Sequence, residues 1–250
     1  MTKEPITKNK EQFKMIWKKS HILKSILTPA LRIWLSSQLE TIKGLQLEVT
    51  SSDQQLLQGM IPKVLLKSDF AIYQGLHFDQ IYLIAEEIAI NVSQVLKGQP
   101  VQLLNPIPLS GNIRITDNHL NASLASPLLQ SGVQDFLALL LKTETIPSIQ
   151  WQKISLDHNQ FILEGHQSAS SLKLAQIQAT VSLRSPQHLL ISPVKVEGFP
   201  IEEMIAPIEF DLGSQVQLKT LNVTEEAVFL QGCLTVLPEE TAVSQGDMAS

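Results

Sequence analysis

From Gly75 to Ile90 the side chains fall into two interleaved sets. One set is Leu76, Phe78, Gln80, Tyr82, Ile84, Glu86, Ile88 and Ile90; the other is His77, Asp79, Ile81, Leu83, Ala85, Glu87 and Ala89. Side chains alternate across a β-strand, so this period of two predicts a strand whose even-numbered face is the more apolar. Neither Gly nor Pro interrupts residues 76–90. The stretch therefore reads as one uninterrupted strand, which at about 3.3 Å per residue would span roughly 50 Å.

The pattern before it is helical. Phe13, Ile16, Trp17, Leu23, Ile26 and Leu27 recur at near-helical spacing, and Leu31, Trp34, Leu35, Leu39 and Ile42 continue the stripe to Lys43-Gly44. Thr28-Pro29 reads as a cap and first helical position that starts a second segment or kinks the first. Leu45 to Val49 alternates as a strand, and Gln54 to Tyr73 as one or two more, with Val64, Leu66, Phe70 and Ile72 on one face. Asn91 caps a short helix closed by Gly98, and Ile107, Leu109, Ile113 and Ile115 mark another strand. Thr116 or Asp117 caps a helix through Leu124, and Pro127 opens a second through Leu140. Beyond them, Ile149 to Leu156 and Gln160 to Gly165 form a hairpin about Asp157-His158-Asn159. Further strands fall at 171–183, 188–196, 215–223 and 227–237.

Composition narrows the class. With 250 residues, 44% of them apolar and 17% charged, the chain has ample material for a core. Aromatics are only 5%, so that core is aliphatic. Charge is unevenly placed: residues 1–32 hold eight Lys/Arg against Glu4 and Glu11, while the rest holds eleven against twenty-two acids. Lys14, Lys18, Lys19 and Lys24, with Trp17 among them, make the head a basic amphipathic helix suited to an anionic membrane surface. The acidic body argues against nucleic-acid binding. No apolar run is long enough for a transmembrane helix, and no signal-peptide pattern opens the chain, so the expected place is the cytoplasmic side, peripheral to a membrane. Residues 1–27 read as the basic segment, 28–237 as one domain, and 238–250 as a disordered acidic tail.

Catalytic patterns are lacking. The sequence holds no nucleophile elbow, zinc-protease helix, phosphate loop, dinucleotide fingerprint or paired-cysteine site. Cys233 is the sole cysteine, and no two histidines stand four apart. Asp117 and His119 read as cap and surface groups. Glu86-Glu87 point to opposite faces of a strand, and Glu202-Glu203 and Glu239-Glu240 read as solvated charge. Neither a metal nor a cofactor is implied. Long aliphatic strands with few helices to cover them suggest an apolar channel; a filled core is the alternative.

Several short motifs resemble the LmeA-like family of phospholipid-binding proteins, especially its cyanobacterial branch. They are Tyr73-Gln74-Gly75-Leu76, Ile90-Asn91-Val92, Leu96-Lys97-Gly98-Gln99-Pro100 and Leu103-Leu104-Asn105-Pro106-Ile107-Pro108. Leu120-Asn121-Ala122-Ser123-Leu124, Ser126-Pro127-Leu128-Leu129, Asp211-Leu212-Gly213 and Gly232 continue the likeness, as does the helix bearing Trp34 and Gln38-Leu39. The resemblance implies an α+β fold of the tubular lipid-binding kind, in which a long, curved antiparallel sheet wraps a long N-terminal helix, with a short helical pair beside it. It implies a non-enzymatic protein that holds a phospholipid or other glycerolipid in an apolar groove. On that reading the groove candidates are Val64, Leu66, Phe70, Ile72, Phe78, Tyr82, Ile84, Ile88, Ile113 and Ile115. The rival is a scaffold with a filled core that binds a protein partner through the N-terminal helix.

Overall fold

A computed structural model describes residues 26–142, 148–167, 174–199 and 205–238. Lys14, Trp17, Lys18, Lys19, Lys24, the Glu202-Glu203 and Glu239-Glu240 pairs and nearly all of the acidic tail lie outside them. Helix α1 is described over residues 26–38. There follow β1 (Thr41–Lys43), β2 (Gln46–Thr50), α2 (Asp53–Leu57), β3 (Met60–Ser68), β4 (Phe70–Tyr73), β5 (Leu76–Phe78) and β6 (Gln80–Ala89). Then come α3 (Val92–Val95), β7 (Ile107–Thr116), α4 (Asp117–Ala122) and α5 (Pro127–Leu141). The second half holds β8 (Ile149–Asp157), β9 (Gln160–Gln167), β10 (Leu174–Ser185), β11 (His188–Glu197), β12 (Ile208–Asp211), β13 (Val216–Val223) and β14 (Ala227–Val236).

The protein is α+β, and its paired strands are antiparallel. They divide into a six-stranded sheet, β13-β14-β7-β6-β3-β2, a five-stranded sheet, β12-β11-β10-β9-β8, and a small one, β1-β4-β5. Among the described residues the strands form three sheets and not the expected single sheet around a long helix. Its N-terminal helix is described for only 13 residues, about 20 Å. It runs through Thr28-Pro29 and stops before Ile42, because β4 captures the chain as β1, with Glu40 N–H donating to Ile72 O and Thr41 opposite Ile72.

Each large sheet has its own helical cover. Leu27 and Leu31 of α1, with Leu56, Val92 and Val95 from α2 and α3, pack on Ile61, Val64, Ala85 and Ile88 of the six-stranded sheet. Phe136, Leu137 and Leu140 of α5 pack on Ile154, Leu163, Ile177 and Ile191 of the five-stranded sheet. Local signals set the helix starts. Ser126 caps α5 with Pro127 at its first position, and Thr116 caps α4. Ser52 and Gln55 form a reciprocal capping box for α2, where a strand was expected.

The long strand expected over 76–90 is two strands. Asp79 stands between β5 and β6: its N–H donates to Arg114 O, and its carboxylate accepts from Thr116 N–H at 2.6 Å. Its other oxygen lies 2.9 Å from His119 Nδ1. A residue poorly suited to a strand interior thus pins the strand end to the start of α4. A second irregularity follows. Glu87 has φ of +55°, and the core-facing positions change from Ala85 to Ile88, matched across the ladder by Val64 and Ile61. The even-numbered set therefore does not share one face.

Candidate functional site

The inner face of the six-stranded sheet can be laid out from its register. Leu47, Leu66, Leu83, Gly111, Gly232 and Leu218 form one row straight across it. One step toward α2 and α3 lies the row of Val49, Val64, Ala85, Leu109, Leu234 and Val216. One step the other way lie Ile81, Ile113, Leu230 and Leu221. The neighbouring glycines leave the centre of this aliphatic face without side chains. Neither could carry one: a Cβ on Gly111 would strike Tyr82 O, and on Gly232 it would strike Gln217 O, so adjacent backbones approach too closely.

Cover over this face is uneven. Val64 and Ala85 are buried with α1 in the first core. Leu66, Leu83, Ile113, Leu230, Leu218 and Leu221 are only half-buried and fall in neither core cluster. Leu234 is 43% exposed. The result is a filled end beneath α1 and an incompletely covered aliphatic strip about the glycine pair. This half-covered aliphatic strip is the candidate site, since ligand sites are concave and mostly apolar.

The ten groove candidates do not converge. Leu66 and Ile113 lie on the half-covered strip, and Ile115 is buried at its far end opposite Val228. Val64 and Ile88 belong to the filled core. Tyr82 and Ile84 face the other side, where Lys67 stands over the Tyr82 ring at 5.5 Å and Lys63 pairs with Glu86 at 3.2 Å. The parity change near Glu87 separates Ile84 from Ile88. Phe70, Ile72 and Phe78 leave the large sheet altogether and build the small one, where the Phe70 ring meets His77 and His119. Leu83, Gly111, Leu230 and Gly232 belong to the strip but were missed as a group. Cross-strand pairing unites them, and one strand's own pattern cannot show it.

The charged groups are structural in arrangement. Burial pushes the Asp79 carboxyl up, but the Thr116 backbone N–H, the His119 contact and the Thr116 hydroxyl outweigh it, and the net displacement is downward. Asp157, His158 and Glu225 are the one described trio spaced to share a cation, and all three are exposed. His158 Nδ1 is 3.0 Å from Asp157 and 3.7 Å from Glu225, linking the β8–β9 and β13–β14 turns. Hydrogen bonding to Asp157 raises the His158 pKa and lowers that of Asp157. Cys233 is exposed. Two clefts, of about 490 and 720 Å³, flank the α4–α5 junction. Asn121, Gln130, Gln134, Gln150 and Gln152 line the larger, so its chemistry is that of amides. Neither cleft reaches the aliphatic strip.

Asn121 and Ser123 hold that junction. The Asn121 carboxamide donates to Ile154 O at 2.7 Å and accepts from Ile154 N–H at 2.8 Å, capping the free edge of β8. The fully buried Ser123 hydroxyl accepts from His77 N–H and donates to His119 O.

The arrangement defines an antiparallel α+β protein with two helix-backed cores and an under-covered aliphatic strip. A family model described as LmeA-like phospholipid-binding matches residues 19–233, most of the chain, and the protein belongs to that family. No curated protein and no solved structure matches it significantly. Among the described residues no helix is long and apolar enough to cross a membrane.

Proposed function

We propose that the protein binds a phospholipid or related glycerolipid without turning it over, and carries or presents it at a membrane. The observation that carries this reading is the strip around Gly111 and Gly232, where a sheet face supplies aliphatic walls but no central side chains. An acyl chain lies along it, flanked by Leu83, Ile113 and Leu230. Each methylene removed from water contributes about 0.8 kcal/mol, so a modest length of chain suffices for stable holding. Membership of a phospholipid-binding family supports the choice of ligand. Lys14, Lys18, Lys19 and Lys24, with Trp17, meet anionic headgroups at about 1 kcal/mol for each well-placed lysine.

Native mass spectrometry of freshly purified protein, followed by extraction, tests the reading. A stoichiometric glycerolipid is expected, and Ile113→Trp, which places an indole over the strip, should lose it while keeping the unfolding temperature. A clean unliganded mass with no uptake from mixed vesicles sinks the proposal and favours a scaffold whose N-terminal segment meets a protein.

A further inference from the structure

The α2–α3 end of the six-stranded sheet combines exposed leucines with unusually little charge. Met60 pairs with Ala89, and Leu104 N–H donates to Ala89 O at 2.9 Å, so Met60 and Leu104 flank Ala89 on one side of this end. Leu57 closes α2 just before Met60, and Leu96 caps α3 just after Ala89. All four are exposed, Leu57 at 58% and Leu104 at 55%. Leu56 and Ile61, their neighbours, point inward and are fully buried, so the outward pair is held on a rigid base.

The sequence around them is depleted of charge. None occurs between Asp53 and Lys63, and between Glu87 and Arg114 the only charged residue is Lys97. Glutamines and Asn105 supply the polar groups instead. In a body that carries twice as many acids as bases, this end sets four exposed large apolar side chains among neutral amides. A protein partner recruited to an acidic body would meet complementary charge at the rim. A bilayer interface instead tolerates amides and apolar tips and penalises carboxylates.

We propose that this end is the surface by which the protein enters a lipid interface, with Leu57, Met60, Leu96 and Leu104 inserted and Lys97 at headgroup level. The proposal rests on the lipid-binding reading and adds the place of docking, distinct from the basic N-terminal segment. It puts the Leu234 end of the aliphatic strip toward the membrane, since Leu234 lies in the row nearer α2 and α3. Lipid then passes between bilayer and protein along the sheet.

The test uses full-length protein and vesicles of zwitterionic phosphatidylcholine, which carry no net charge, at physiological salt, where lysines gain little. Binding is measured by flotation, and lipid pick-up by transfer of a fluorescent phosphatidylcholine. The double variant Leu57→Asp/Leu104→Asp should lose about tenfold or more in both. Its unfolding temperature and co-purified lipid should match those of the unaltered protein. Leu139→Asp, at an exposed position on α5 (47%), should bind normally. Normal flotation and pick-up by the double variant, or equal losses in Leu139→Asp, overturn the docking surface while leaving the lipid reading intact. Unaltered protein that carries no lipid and binds no vesicle overturns both. Unaltered protein that binds vesicles through Leu57 and Leu104 but never holds lipid supports the docking surface and sinks only the strip as a lipid site.

Discussion

Both ends of the Asn121 carboxamide are committed to the Ile154 backbone, so this one side chain completes the edge of β8. Asn121→Ala leaves a peptide N–H and C=O without those partners and should lower unfolding free energy by about 3 kcal/mol, read from urea denaturation. Asp79 acts by charge as well as shape. Its folded pKa is depressed, so its stabilisation is complete above the unfolded carboxylate value near 3.9 and is lost as pH falls through the lower folded value. Asp79→Asn should therefore cost about 2 kcal/mol at pH 7 and progressively less below pH 4, measured as a shrinking gap between urea midpoints. A gap independent of pH would show that Asp79 acts by hydrogen-bond geometry alone. Of these residue roles, the caps were legible in the sequence. Thr116 and Pro127 stand where local helix signals put them, and Ser52 with Gln55 spelled a capping box that a strand reading passed over. The Asn121 clip was not legible, because its partner is a backbone group on a distant strand.

At the scale of elements, alternation found most of the strands but not their partnership. β5 and β6 read as one run because nothing between them is Gly or Pro; Asp79 ends the run only because Arg114, Thr116 and His119 are waiting for it. Parity then changes near Glu87, an event with no local sequence mark, and that alone moved Ile84 and Tyr82 to the outer face. Periodicity likewise gives aliphatic residues without saying whether a helix covers them. Leu66 and Val64 look alike in sequence, and only the position of α1 makes one half-covered and the other core. The close strand approach at the glycine pair yields a sharp expectation. Gly111→Ala should destabilise by roughly 3 kcal/mol, because the methyl group meets a peptide carbonyl instead of a yielding side chain. A thermal midpoint unchanged from that of the unaltered protein would contradict the packing described.

For the whole molecule, the contrast between a basic head and an acidic body was plain in the sequence, and its consequence is one of ionic strength. Protein lacking residues 1–25 should bind anionic vesicles less tightly, and its residual binding should barely respond to salt, whereas the complete chain should weaken steadily as salt rises. Co-sedimentation across a salt series measures both; identical curves would remove the head from membrane binding. The connectivity of the two large sheets carries a further consequence, in time instead of space. β7 and β14 are neighbours in the six-stranded sheet, yet α4, α5 and the whole five-stranded sheet are translated between them. At about 5–20 residues per second, a ribosome leaves the β7 edge bare for roughly ten seconds before β14 emerges. The row joining Gly111 to Gly232 is therefore completed only after the whole five-stranded sheet has been made. Any chain cut short before β13 keeps an open β7 edge and only half of the aliphatic strip.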